Sequence, residues 1–207
     1  MTFGSRSTTC LAMLALVLLI ALPADAESEN TFLLQQGRLL FYEGIEDKAS
    51  LDRAIALFAR LSEVDSSQFG VAQTYIGALT AMKAIHTPWP HSKLHYAKQG
   101  LAIMDAGLAA SPENIEALFI HGSTCHFLPF FFNRKDDAQR SFQLLMRLLP
   151  EQFHFYENKL VDNMIRFLQR EIPMTAEQQS AIAQIQDRLQ LSDIADLFAK
   201  PLAAVIQ

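Results

Sequence analysis

Apolar residues recur at intervals of three and four through almost the whole chain, as in Leu51, Ala54, Ile55, Phe58 and Leu61, and no stretch shows the alternation of a half-buried strand. A chain patterned this way can bury its apolar side chains only as packed helices, so the fold class is all-α. The spacing predicts helices over 31–43, 50–63, 68–86, 92–110, 113–127, 135–148, 151–171, 175–190 and 192–199. Pro112, Pro150 and Pro173 punctuate them, and Thr175 with Gln178 forms a capping-box pattern that opens the eighth.

Long helices joined by short turns invite a search for repeats, and the later part of the chain aligns on itself. The clearest unit begins at "SPENIEALFIHG", where Pro112 is followed by Gly122, and its second helix then supplies Ala138, Phe142, Leu145, Met146 and Pro150. An earlier unit shows Gly77, then Gly100, Met104, Gly107, Leu108 and Pro112; the first shows Gly37, then Ala54, Phe58, Leu61 and Ser66. A glycine, a small residue and a bulky apolar residue therefore recur three times. Small residues let paired helices approach closely, and the bulky one is expected to fill the space between neighbouring pairs.

This pattern resembles the tetratricopeptide repeat (TPR), W-x2-L-G-x2-Y followed by A-x3-F and a proline. The family's tryptophan position is held here by Leu33, Gln73 and Leu118, and its tyrosine position by Leu40, Thr80 and Cys125. The glycine and the small residue lie 17, 23 and 16 positions apart, longer than in the family, so each hairpin carries an insertion between its two helices. The resemblance, which extends to secreted bacterial TPR-like proteins, implies a TPR-like α-solenoid: three degenerate helical hairpins over 27–150 and capping helices over 151–207.

The N-terminus carries its own signal. Arg6, the apolar run "CLAMLALVLLIAL" and the small-residue ending Ala24–Asp25–Ala26 form the three parts of a secretory signal peptide, 1–26, cleaved before Glu27. The run is shorter than the roughly 20 residues of a spanning helix, which makes a retained anchor the weaker reading. The mature chain is then periplasmic or secreted. Its formal charge stays at −5, because the leader removes one base and one acid, and no basic patch suggests nucleic acid. Cys125 is the one cysteine outside the leader, which rules out an intramolecular disulfide in the mature chain.

Two clusters invite a metal or haem reading. Covalent haem attachment needs C-x-x-C-H, but Gly122 stands where the first cysteine belongs in "HGSTCHF". His121 and Cys125 share a helix face, although the repeat alignment points them inward as core fillers. His86, His91 and His95 form the alternative reading, a periplasmic metal-binding protein. No nucleophile elbow, phosphate loop or dinucleotide fingerprint occurs, so neither catalysis nor a cofactor is expected.

The insertions "FYEGIEDKAS", "HTPWPHSK" and "HFLPFFFNRKD" offer the sharper expectation. In stacked hairpins such insertions gather along one edge. Here that edge carries Trp89, Phe130, Phe131 and Phe132, which either pad the core or anchor a protein or peptide partner in the cell envelope. The concave groove between the first helices of the hairpins is the other candidate surface, and peripheral membrane contact is a minor one. The expected function is that of a noncatalytic scaffold or adaptor, with an accessory role in envelope transport or assembly as the setting that fits the compartment.

Overall fold

A computed structural model describes residues 24–189, and within them the chain is all-helical, with eight α-helices and no strand. The leader up to Pro23, the expected helix 192–199 and the terminal "AKPLAAVIQ" lie outside the described residues. The helices are α1 (Ala24–Glu43), α2 (Lys48–Val64), α3 (Phe69–Met82), α4 (Pro90–Ala110), α5 (Ile115–Phe127), α6 (Lys135–Gln152), α7 (Asn158–Glu171) and α8 (Ala176–Leu189). None of these is long and apolar enough to cross a membrane.

Local chemistry sets several of the starts. The Asp47 carboxylate accepts from the N–H groups of Ala49 and Ser50 at the head of α2, and Asn114 accepts from Glu116 and Ala117 at the head of α5, both at 3.0 Å. Pro90 occupies the first turn of α4, where its missing N–H costs nothing. The capping box before α8 forms as its spacing predicts: the Thr175 N–H donates to Gln178 and the Gln178 N–H donates back to the Thr175 hydroxyl.

The helices pack in consecutive pairs, α1 with α2, α3 with α4 and α5 with α6, while α3 also lies against α2 and α5. The α3–α4 pair is the most intimate. Gly70 and Gly77 on one helix, and Gly100 and Gly107 on the other, are each separated by seven residues and so share a face. A Cβ on Gly77 would stand 2.3 Å from the Met104 nitrogen, and one on Gly100 would stand 2.3 Å from the Ala81 nitrogen. Backbone therefore packs on backbone. The bulky residues of the other two units serve two contacts: Phe58 lies on Gly37 and Phe142 on Gly122, each within its own pair, and beyond the pair Phe58 stacks on Tyr75 of α3 at 4.3 Å while Phe142 packs against Phe167 of α7.

The expected helix over 151–171 is two elements. α6 continues through Pro150 to Gln152, a single turn of 3-10 helix follows at Phe153–Phe155, and α7 starts at Asn158. The break follows from Tyr156 and Glu157, whose extended backbones turn the chain so that Phe153 is buried and Glu157 reaches Arg38. α3 also stops short, at Met82; Lys83–His86 continues in tight turns that carry the His86 ring to the Gly44 carbonyl. One continuous apolar core runs from Leu33 to Leu189, with Phe167 of α7 packed edge-on against Phe119 of α5 at 5.3 Å and tilted against Phe142 of α6 at 5.5 Å.

Candidate binding site

The three insertions meet. They close around a cavity of about 850 Å³ at the C-terminal ends of α1, α3 and α5, which run in the same direction. Phe41, Tyr42 and Ile45 line it from α1 and the turn after it; Ala81, Met82 and Ile85 from α3 and its extension; Lys93, Leu94 and Ala97 from α4. Phe119, Ile120 and Phe127 of α5 form another wall, and Leu128, Pro129, Phe131 and Phe132 close it over. The His86 Nε2–H, donating to the Gly44 carbonyl at 2.9 Å, ties the first insertion to the second.

The proline and the three phenylalanines of the third insertion have a definite geometry. Pro129 starts a single 3-10 turn, Phe130–Phe132, and Asn133 ends it in the left-handed region at φ 54°. Asparagine is among the few side-chain-bearing residues that adopt this conformation readily. The turn splits the three rings by function. Phe132 is half-buried against the core, Phe131 lines the cavity while 63% exposed, and Phe130 stands 86% exposed. Trp89, at the N-cap of α4, is 64% exposed and lies beside the opening, next to the lining residue Pro90. Of the four aromatic residues picked out by sequence, two therefore line the cavity and two flank it. The edge and the groove are not separate surfaces, since the insertions and the first helices of the pairs line the same space.

Below the cavity the same three helices carry a buried polar network that sequence reasoning did not find. Arg38 of α1 makes a two-pronged ion pair with Glu116 of α5, both bonds 2.7 Å long, and its remaining nitrogen donates to Glu157 at 3.0 Å. The Tyr75 hydroxyl of α3 donates to Glu116 at 2.6 Å. Burial works to lower the Arg38 pKa, and the Glu116 carboxylate, assisted by Tyr75 and Glu157, reverses this and holds the guanidinium charged. Burial and the same carboxylate push Tyr42 up to about 12 and Tyr75 well above the usual tyrosine range. Arg38 and Glu116 sit in different expected helices with nothing in the local pattern to pair them; only the folded chain brings them together.

His121 and Cys125 are both buried, as the repeat alignment suggests. His121 is more than filler: its Nε2 lies 3.0 Å from Asp105 of α4 and its Nδ1 2.8 Å from the Ser141 hydroxyl of α6. Arg134 grips the same Asp105 through two nitrogens. Burial lowers the His121 pKa despite Asp105 and so favours the neutral ring, in which Nε2–H donates to the carboxylate, an acceptor only, and the Ser141 hydroxyl donates to Nδ1. For Asp105, burial acts to raise the carboxyl, and hydrogen bonds from Arg134 and His121 outweigh it to leave it lowered. The order Ser141, His121, Asp105 has the chemistry of a hydrolytic triad, but Ser141 is 4% exposed, and the cluster acts as a pin joining α4, α5 and α6.

The histidine alternative is not brought together. Among the described residues no group of three His, Cys, Asp or Glu side chains is placed to hold a metal ion. His86 is turned inward to the Gly44 carbonyl, whereas His91 and His95 are exposed on α4.

Fold and site thus define a class: an all-helical protein whose consecutive helix pairs leave an aromatic-flanked apolar cavity at one end. No protein-family model, curated protein or solved structure matches this chain.

Proposed function

We propose that the protein is an exported, noncatalytic binding protein of the cell envelope, a scaffold or adaptor of stacked TPR-like hairpins that takes an apolar group of its partner into the cavity. The observation that carries this reading is the convergence of all three insertions on one apolar space, with Trp89, Phe130 and Phe131 held in solvent at its mouth. Exposed aromatic rings on a rigid frame bury large areas at small entropic cost, which suits them as anchors. The TPR-like part of the reading is supported by Phe58 on Gly37 and Phe142 on Gly122, the same pairing at equivalent places in two hairpins.

The test is affinity capture from the native cell envelope with the wild-type protein and the double variant Phe130→Ser, Phe131→Ser. This variant leaves the half-buried Phe132 in place, so folding is preserved and a melting curve verifies it. A partner retained by the wild type and lost by the variant is the expected result. Equal capture by both would move binding away from the cavity mouth.

A further inference from the structure

The lining chemistry says more about the occupant, provided that the cavity is the binding site proposed above. A peptide brings an N–H and a C=O with every residue, and each must find a partner when it leaves water. The cavity offers few. Among its lining residues the polar side chains are Tyr42, Lys93, Ser123 and Thr124, and the Ser123 hydroxyl already donates to the Ile120 carbonyl. A methylene chain makes no such demand. At about 850 Å³ the space lies within the range of small-molecule sites, roughly 300–1,000 Å³.

One charge is available to orient such a chain. Lys93 is the only charged residue among those lining the cavity; it is exposed, hence at the mouth, and no carboxylate among the described residues forms an ion pair with it. Three other cations near this end are engaged, Lys83 with Asp52, Arg134 with Asp105 and Lys135 with the His126 carbonyl, and neither they nor Lys48 of the first insertion line the cavity. An apolar interior whose described lining carries one ammonium at the rim complements an amphiphile of one acyl chain and one negative charge.

We infer that the cavity binds a single-chain fatty carboxylate, its hydrocarbon inside against Phe41, Phe119 and Phe127 and its carboxylate at Lys93. The experiment uses protein recovered from the cell that makes it and stripped of lipid, titrated with octanoate, decanoate and dodecanoate below their micelle concentrations. Affinity should rise about fourfold for each added methylene, the factor expected for moving hydrocarbon out of water. Lys93→Gln should weaken the carboxylates about threefold to fivefold and leave the matching fatty alcohols unchanged, as for an exposed ion pair. Ala84→Trp, which puts an indole into the space, should abolish binding of both; Lys93, being exposed, provides a test that cannot fail through misfolding.

Affinity that does not grow with chain length, or that Lys93→Gln leaves unaltered, overturns the inference, as would an apolar peptide or a second copy of the chain occupying the cavity in place of the carboxylate. The two readings fail separately. A captured partner that depends on Phe130 and Phe131, with no carboxylate binding, leaves the adaptor function standing and removes this ligand. Chain-length-dependent binding without a captured partner does the reverse.

Discussion

Cys125 shows how burial decides the chemistry of a single residue. Its surroundings push the thiol up to about 12 from an ordinary value of 9.0, and Tyr42 and Tyr156 are pushed to about 12 from 10.0, in each case chiefly by burial. An unfolded chain releases these protons from pH 9 upward, whereas the folded one keeps them until about 12. Stability is therefore full below pH 9 and falls as pH rises towards 12. The melting temperature should decline over this range, and Cys125→Ala should remove the part that begins near pH 9. A thiol reagent should also leave the native protein unmodified at pH 8; rapid labelling there would contradict the buried position. His121 works in the opposite direction: its pKa is lowered from 6.5, so its contribution is present above pH 6.5 and is lost as the pH falls below that value. The inward position of both residues was readable from the repeat register. The partners of His121 were not, because Asp105 and Ser141 come from helices on either side.

At the scale of elements, the pairing of α3 with α4 depends on glycines that helix propensity disfavours. Each costs about 0.5–1 kcal/mol against alanine in a helix interior, so four of them are retained only because closer approach compensates. Gly100→Ala should reverse the usual benefit of alanine. Its Cβ would lie 2.3 Å from the Ala81 nitrogen and 2.4 Å from the Gly77 carbonyl oxygen, backbone atoms that cannot rotate away. We expect a loss of about 3 kcal/mol or more, at the upper end of what overpacking costs. Urea unfolding measures it, and an unchanged midpoint would mean that the helices are not in backbone contact. The existence of all eight described helices, and most of their ends, was legible in apolar spacing, prolines and caps. The split at Tyr156 was not, since it reflects a tertiary attraction between Glu157 and Arg38 rather than a strong breaker in the sequence.

For the whole molecule, the Arg38, Tyr75, Glu116 and Glu157 network joins α1, α3, α5 and the start of α7. Glu116 is 2% exposed, so removing it leaves a largely buried guanidinium without its main counter-charge. Glu116→Ala should cost about 3–5 kcal/mol in chemical denaturation, while the double change Arg38→Met, Glu116→Leu should recover most of that, because an apolar pair of similar volume avoids desolvating two charges. A loss under about 1 kcal/mol from the single change would show that the network is solvated. The network also reaches the cavity electrostatically, because Tyr42 belongs to the cavity wall and feels the charges of both Glu116 and Arg38.

By itself the sequence determined the helical class, the consecutive pairs, the extra length between paired helices and the aromatic residues carried there, since all of these follow from local periodicity, turn chemistry and composition. Only the tertiary structure decided that the three extra segments enclose one space, that Phe131 and Phe132 line it while Phe130 and Trp89 flank it, and that Lys93 brings the one charge of its described lining to the mouth. The physical reason is sequence distance: the cavity joins residues from Phe41 to Phe132, and the network below it joins Arg38 to Glu157. Such neighbours are selected by the packing of whole helices, and no window along the chain contains both partners.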